Sequence, residues 1–173
     1  MGLVHIICGD GKGKTSSAIG LAIRSAGRNH NVLIARFMKN NDSGELAILE
    51  QINQITLIPN EKDFGFTWNL TEEEKEEANM YFTDMLAKTI KEVRKKQYDL
   101  LILDEIISAN NYEFLPKKQL IDFINHRPEK LEVVMTGRNP EERLCDLADY
   151  ISEVKKIKHP YEKGIPARVG IEY

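Results

Sequence analysis

The chain has 173 residues, of which 42% are hydrophobic and 29% charged, as in a globular protein with a sizeable core, and we expect one domain over residues 1–173. A net charge of -3 argues against a general nucleic-acid binder. The two distant cysteines argue against disulfides and structural zinc, and no apolar run approaches the ~20 residues of a membrane span. We therefore expect a cytoplasmic protein that binds neither nucleic acid nor membranes.

A glycine-rich segment, Cys8–Ser16, follows the first apolar run and opens a helix-favouring stretch. This layout is typical of a phosphate-binding loop, in which backbone N–H groups and a helix N-terminus surround an anion. The residues predicted to bind nucleotide here are Gly9, Asp10, Gly11, Lys12, Gly13, Lys14, Thr15 and Ser16. The usual pattern has its first glycine at position 8, where Cys8 stands, so cleavage of a terminal phosphate is not implied.

Apolar runs alternate with helical patterns along the chain, which predicts an α/β fold. We expect a mostly parallel sheet with helices on both faces, in a P-loop NTPase-like (RecA-like) three-layer sandwich. The predicted strands are Leu3–Ile7, Val32–Phe37, Ile55–Ile58, Leu100–Leu103, Val133–Thr136 and a weaker Tyr150–Ile157. A helix is predicted over Thr15–Ala26, in which spacing alone favours a solvated Arg24.

The second predicted strand is followed by a run of turn-forming residues, 40–44. Ligands collect at the carboxyl ends of parallel strands, so Lys39 and Glu45 stand where function is expected. By position alone, each is equally well explained as a surface charge.

The loop between Pro59 and Leu70 contains the single tryptophan and two of the six phenylalanines. These rings either pin the loop to the core or form an apolar platform for a planar ligand. A capping box at Thr71-Glu72-Glu73-Glu74 then predicts the start of a long helix that ends near Lys96.

Two later strands deliver charged residues at their ends. Asp104 and Glu105 follow one strand, where a phosphate-binding protein holds Mg²⁺. Arg138 follows another, placed for a phosphate or a carboxylate. The C-terminal tail, 155–173, keeps many large apolar residues, so we expect it to fold back over the domain, and the four histidines are taken as noncatalytic.

The candidate site has cations and a metal position, but its sequence presents no nucleophile–His–acid triad and no obvious general base besides Glu105. A nucleophile supplied by a second substrate would fit this inventory.

The sequence resembles the P-loop-type ATP:corrinoid (cob(I)alamin or cob(I)yrinic acid a,c-diamide) adenosyltransferase family, over virtually the whole chain. Members move the 5′-deoxyadenosyl group of ATP onto the cobalt of a reduced corrinoid. The residues that carry the resemblance are Gly9–Thr15, Gly65-Phe66-Thr67-Trp68, Leu103-Asp104-Glu105, Thr136-Gly137-Arg138, Lys158-His159-Pro160-Tyr161 and Gly170-Ile171-Glu172-Tyr173.

The resemblance implies that ATP lies in the loop in the opposite sense to ordinary P-loop NTPases and exposes its ribose 5′ carbon. It further implies that Thr15, Asp104 and Glu105 serve Mg²⁺, with Mn²⁺ as an alternative, and the ribose. The residues that it assigns to catalysis are Lys14, Glu105, Phe66 and Trp68. Arg24 and Arg138 would approach the nucleotide, and Phe66 and Trp68 would lie under the corrin. Cobalamin or a corrinoid precursor, a flavoprotein reductant and a homodimeric partner are the implied partners.

The chain departs from the family pattern at Asp10, where asparagine is frequent, and at the short polar segment 40–43. Two alternatives to an adenosyltransferase stay open. One is a P-loop kinase or NTPase acting on a terminal phosphate, and the other is a noncatalytic corrinoid- or nucleotide-binding protein.

Overall fold

The computed structural model describes residues 1–65 and 70–173, so Phe66 and Trp68 lie outside the described residues. Its centre is a six-stranded sheet in the order β3-β2-β4-β5-β1-β6. Each adjacent pair of strands is parallel. The strands are β1 Val4–Cys8, β2 Val32–Arg36, β3 Ile55–Leu57, β4 Leu100–Asp104, β5 Glu132–Thr136 and β6 Tyr150–Glu153.

The strand sequences are apolar because helices cover both faces of a parallel sheet. Every residue of β2 and of β4 is buried, so these strands are nearly continuous apolar runs. The first five predicted strands are confirmed with bounds one residue off at most at either end. The sixth is shorter than the predicted Tyr150–Ile157, since β6 is an exposed edge strand and the next residues, Val154 and Lys156, bond to the glycine-rich segment instead.

Helices form the two outer layers. They are α1 Lys14–Ala26, α2 Glu45–Leu49, α3 Glu72–Lys95, α4 Ile106–Asn111, α5 Lys117–Asn125 and α6 Glu142–Asp146. Buried residues of α1 and α2 share one apolar cluster with the sheet, and buried residues of α3 to α6 share the other. The predicted three-layer α/β arrangement is therefore confirmed. The short helices α2, α4 and α5 have no counterpart among the elements predicted from sequence.

The long helix α3 begins with the predicted capping box. The Thr71 hydroxyl accepts from the Glu74 N–H at 3.2 Å, and the Thr71 N–H donates to the Glu74 carboxylate at 2.7 Å. The C-terminal tail contains a 3₁₀ helix, Pro160–Lys163, and returns to the sheet, where residues 170–173 line the main cleft. Within residues 1–65 and 70–173, no helix is long and apolar enough to cross a membrane.

Candidate functional site

A cleft of about 630 Å³ opens at the carboxyl ends of the strands. This is the edge at which parallel α/β sheets bind ligands. Its walls come from the glycine-rich loop, the exposed face of α1, the ends of β2, β4 and β5, and the tail. The lining residues are Asp10, Gly11, Lys12, Gly13, Lys14, Thr15, Ser16, Ile19, Gly20, Ile23, Lys39, Ser43, Gly44, Glu45, Glu105, Arg138, His159, Gly170, Ile171, Glu172 and Tyr173.

The glycine-rich loop takes its shape from close backbone approach. Gly9 has φ 111°, and a Cβ at this position would lie 2.5 Å from the carbonyl oxygen of Val154. Gly13, at φ 119°, turns the chain into α1. Both positions therefore require glycine. The N–H of Gly11 donates to the Val154 carbonyl at 2.7 Å, which ties the loop to the chain that follows β6.

Asp10 strengthens the same tie. Its carboxylate accepts the N–H of Lys156 at 3.0 Å. This hydrogen bond is the main reason that the pKa of Asp10 is lowered from its ordinary value. The carboxylate is thus an anchor of the loop, and it brings a negative charge to the rim of a cleft otherwise suited to phosphates.

Lys14 is the half-buried cation of the cleft. Its ammonium donates to the Gly11 carbonyl at 2.9 Å. Burial lowers its pKa, Arg138 and Lys39 lower it further by repulsion, and the Glu105 carboxylate opposes the shift. The repulsion between these cations would be relieved by a ligand that carries several negative charges, as a triphosphate does.

Asp104 is the buried acid of the site. Its carboxylate accepts from the Thr15 hydroxyl at 3.0 Å and from the Thr136 hydroxyl at 2.7 Å. The exposed fraction of Asp104 is 0%, so it faces the loop through Thr15 and does not itself line the cleft. Two hydroxyl donors fix the orientation of a carboxylate that would otherwise be costly to bury.

Glu105 follows in the left-handed backbone region, at φ 59°, and its side chain lines the cleft. Its N–H donates to the Thr136 hydroxyl at 2.8 Å, and its carboxylate accepts the Ser108 hydroxyl at 2.5 Å. A nonglycine residue in this region is strained and is held there by its surroundings. Thr136 therefore orients both acids at once.

Lys39 and Glu45, for which position alone left a surface charge as an equal alternative, also line the cleft. The Lys39 ammonium lies 3.4 Å from the Thr15 hydroxyl. We call the loop between Pro59 and Leu70 the aromatic loop, and Asn60 is part of it. The Asn60 amide donates to the Lys39 carbonyl, and its side-chain oxygen accepts from Tyr81 of α3, so Asn60 joins this corner of the cleft to α3.

The described part of the aromatic loop is pinned to the core. Phe64 lies 5.5 Å from Phe82 and 5.6 Å from Tyr81, measured between ring centroids. A narrow recess beside it is lined by Met38, Lys39, Lys62, Asp63, Phe64, Gly65, Phe82 and Phe114. For Phe64, the core-packing alternative from the sequence analysis is confirmed.

Most predicted site residues meet in one place, but not all. Gly9 and Asp104 are not among the lining residues: Gly9 packs against the Val154 backbone, and Asp104 is a buried acid that bonds the Thr15 hydroxyl. Arg24 is exposed and is not among the lining residues, so its approach to a nucleotide stays a prediction.

Sequence reasoning missed other lining residues. His159 lines the cleft, and its Nδ1 accepts the Tyr161 N–H at 3.2 Å. Its assignment as noncatalytic stays a prediction. Ile19 and Ile23 lie on the cleft face of α1, but helical spacing alone does not separate them from core residues.

Comparison with known proteins gives consistent matches. The family model described as ATP:corrinoid adenosyltransferase BtuR/CobO/CobP matches residues 1–173. The chain is 31% identical to a corrinoid adenosyltransferase of Escherichia coli K12, with 99% of this chain and 86% of that protein covered. It is 32% identical to the corrinoid adenosyltransferase CobA of Salmonella typhimurium LT2, with the same coverage.

Among solved structures, the ATPase 2 and 3 region of EssC from Geobacillus thermodenitrificans superposes with a TM-score of 0.50 at 17% identity. The match covers 99% of this chain and 36% of that chain. At this identity the likeness concerns the fold alone, and it agrees with the predicted α/β architecture.

Proposed function

Since the chain belongs to the ATP:corrinoid adenosyltransferase family, we propose that it transfers the 5′-deoxyadenosyl group of ATP to the cobalt of a reduced corrinoid and releases triphosphate. The full-length match to this enzyme family carries the proposal. The cleft adds chemical support, because its cations suit a polyanionic leaving group.

In the proposed reaction the nucleophile is a substrate. The Co(I) electron pair forms the bond to the ribose 5′ carbon, and the bond between that carbon and the phosphate oxygen breaks. Triphosphate leaves with the electron pair of the broken bond, and cobalt becomes Co(III). The protein has to align cobalt with the 5′ carbon and stabilise the charge on the departing oxygen.

We assign stabilisation of the leaving group to Lys12, Lys14 and Arg138, with backbone N–H groups of the loop. Burial is the main cause of the lowered pKa of Lys14, and repulsion from Arg138 and Lys39 adds to it, so a bound triphosphate would stabilise the charged ammonium. Glu105 lines the same cleft and would orient the ribose or its metal.

The residues present also fit Mg²⁺. This ion prefers oxygen ligands and is held by one or two carboxylates together with substrate phosphates. Thr15 and Glu105, which line the cleft, would supply oxygen ligands, and Asp104 would hold the ion from behind through the Thr15 hydroxyl. Mn²⁺ accepts the same ligands. The ion would neutralise phosphate charge when bound. Within residues 1–65 and 70–173, no group of three or more His, Cys, Asp or Glu side chains is arranged to hold a metal ion, so this assignment relies on phosphate oxygens as further ligands.

Phe66 and Trp68 are proposed to lie under the corrin and to assist its reduction. Aromatic rings that displace a lower axial ligand leave four-coordinate cobalt, which accepts an electron more readily. Trp68→Ala should then lose rate with a Co(II) corrinoid and a weak reductant, and retain it with chemically prepared Co(I). Full rate of this variant with the weak reductant would contradict the role.

The decisive experiment supplies ATP, Mg²⁺ and chemically reduced cobalamin without oxygen and follows the light-sensitive adenosylated product. Wild type should form this product and triphosphate in equal amounts. The matched control is Lys14→Met, which removes the charge and keeps an unbranched side chain. ADP in place of triphosphate would instead support a kinase or NTPase, and binding without either product would support a carrier.

We also expect a cytoplasmic homodimer, a flavoprotein as physiological reductant, and either cobalamin or a corrinoid precursor as acceptor. Gel filtration tests the dimer. Parallel assays with complete cobalamin and with an incomplete corrinoid test the acceptor.

A further inference from the structure

We propose that Arg36 is a positioning residue of the nucleotide cleft, which holds the segment 40–45 in place as one wall of that cleft. We call residues 40–45 the cleft wall. The inference rests on the proposed function only in taking ATP as the ligand.

Arg36 is the last residue of β2, and its exposed fraction is 4%. Its guanidinium donates to the Asn40 carbonyl at 3.2 Å and to the Ser43 hydroxyl at 2.9 Å. The Glu45 carboxylate lies 3.9 Å from the same nitrogen. One buried side chain thus reaches the beginning, the middle and the end of the cleft wall.

The cleft wall has little structure of its own. Residues 40–44 are turn formers, and α2, which begins at Glu45, has five residues and no side-chain cap at its start. Its other described hydrogen bonds are local ones and a bond from the Asn41 amide to the Asn60 carbonyl. Ser43, Gly44 and Glu45 nevertheless line the cleft. The position of these residues toward ATP therefore depends on Arg36.

Arg36 also stands directly beside Asp104 in the sheet, since the two residues are partners in the register of β2 with β4. The same rung of the sheet thus carries the acid that faces Thr15 and the cation that holds the cleft wall. A change in the position of this residue pair would therefore move both the Thr15 side and the cleft-wall side of the nucleotide site.

Burying the Arg36 guanidinium costs free energy of folding. Burial lowers its pKa, with Glu45 and Asp104 opposing the shift. Its buried Nε has no hydrogen-bond partner among the described residues. Replacing such a buried charge by an apolar side chain of similar volume is frequently neutral or stabilising. Stability alone would therefore not favour arginine at this position. Its role in positioning the cleft wall accounts for its presence.

The test compares Arg36→Met with Arg127→Met, which is a matched control. Arg127 is a partly buried arginine that, like Arg36, has a buried Nε without a described partner. It bonds the Ile124 and Gly2 carbonyls and is not among the cleft residues. ATP binding is measured by titration without corrinoid. Hydrogen exchange at 40–45 is measured on the ligand-free protein.

We expect Arg36→Met to raise the Kd for ATP about tenfold, the effect of losing a charged hydrogen-bond anchor, and to speed exchange at 40–45. Arg127→Met should change neither quantity, and Arg36→Lys should restore part of the affinity. A Kd within about twofold of wild type, with unchanged exchange at 40–45, would overturn the inference.

If Arg36→Met does not fold, Ser43→Ala removes the 2.9 Å bond from the other side and leaves the buried charge in place. Faster exchange at 40–45 in this variant supports the inference, and unchanged exchange overturns it. Because neither readout involves corrinoid, a wild-type protein that binds ATP and fails to adenosylate would contradict the proposed function alone.

Discussion

Replacing Thr136 with valine should weaken both the fold and metal-dependent ATP binding. The Thr136 hydroxyl is fully buried, donates to the Asp104 carboxylate at 2.7 Å and accepts the Glu105 N–H at 2.8 Å. Valine has nearly the same shape, so packing is retained and the hydroxyl alone is lost. The substitution therefore isolates the two hydrogen bonds that orient the acids.

The magnitude follows from those two bonds. Loss of a hydrogen bond to a charged group costs about 1.5–3 kcal/mol, and a buried N–H left without a partner costs about 1–3 kcal/mol. The greater apolarity of valine offsets part of this sum, so we expect a loss of about 3 kcal/mol in the free energy of unfolding. For a chain of this size, that loss lowers Tm by about 6–12 °C.

The assay combines urea unfolding and thermal melting with an ATP titration over a range of Mg²⁺ concentrations. Thr136→Val should need more Mg²⁺ for half-maximal ATP binding, because Asp104 loses a donor that orients it. Thr136→Ser is the matched control, since it keeps the hydroxyl and loses one methyl group. A Thr136→Val protein that melts within about 2 °C of wild type and has an unchanged Mg²⁺ requirement would refute the reasoning.

Three further substitutions test other parts of the site. The lowered pKa of Lys14 means that, between this value and the ordinary 10.5, the unfolded chain holds a proton that the folded chain has released. The free energy of unfolding should rise with pH across that window while ATP affinity falls, and denaturation of Lys14→Met over the same range should lack that rise. Asp10→Asn keeps an acceptor for the Lys156 N–H and removes a negative charge, so titration at low salt should give an ATP Kd about threefold lower. An unchanged Kd would show that solvent screens the carboxylate. Tyr81→Phe removes the donor to Asn60 and the acceptor of the Glu61 N–H, and should lower Tm by about 2–4 °C, whereas an unchanged Tm would show that neither bond contributes.

The site residues that could be predicted from sequence are those recognisable from their immediate neighbours in the chain. Lys14 and Thr15 belong to a loop with its own spacing, and Asp104 and Glu105 stand at the end of an apolar run. The structure brings Thr15 and Asp104 within hydrogen-bond distance, as that interpretation requires. The proximity of Thr15 and Asp104 could be anticipated because the carboxyl ends of parallel strands meet at one edge of the sheet.

The contributions of Thr136 and Arg36 depend on neighbours that are distant in the chain. Thr136 orients Asp104 across 32 positions, and Arg36 is placed beside Asp104 by the register of two strands. Both residues end apolar strands, where sequence patterning indicates burial and says nothing about a partner. His159 and residues 170–173 lie in a tail without periodicity, so only the folded chain reveals that they line the cleft.

The displaced glycine of the loop has a structural explanation. Cys8 is still a strand residue, because it pairs with Glu153 of β6 and its carbonyl accepts the Val154 N–H at 2.8 Å. The chain leaves the strand one residue later, so the positive φ falls on Gly9. The Gly11 N–H then donates to the Val154 carbonyl, and the first half of the loop continues the ladder between β1 and β6. An N–H used in this way is not available to a phosphate, so the proposed anion binding would depend on the later half of the loop, from Lys12 into the start of α1.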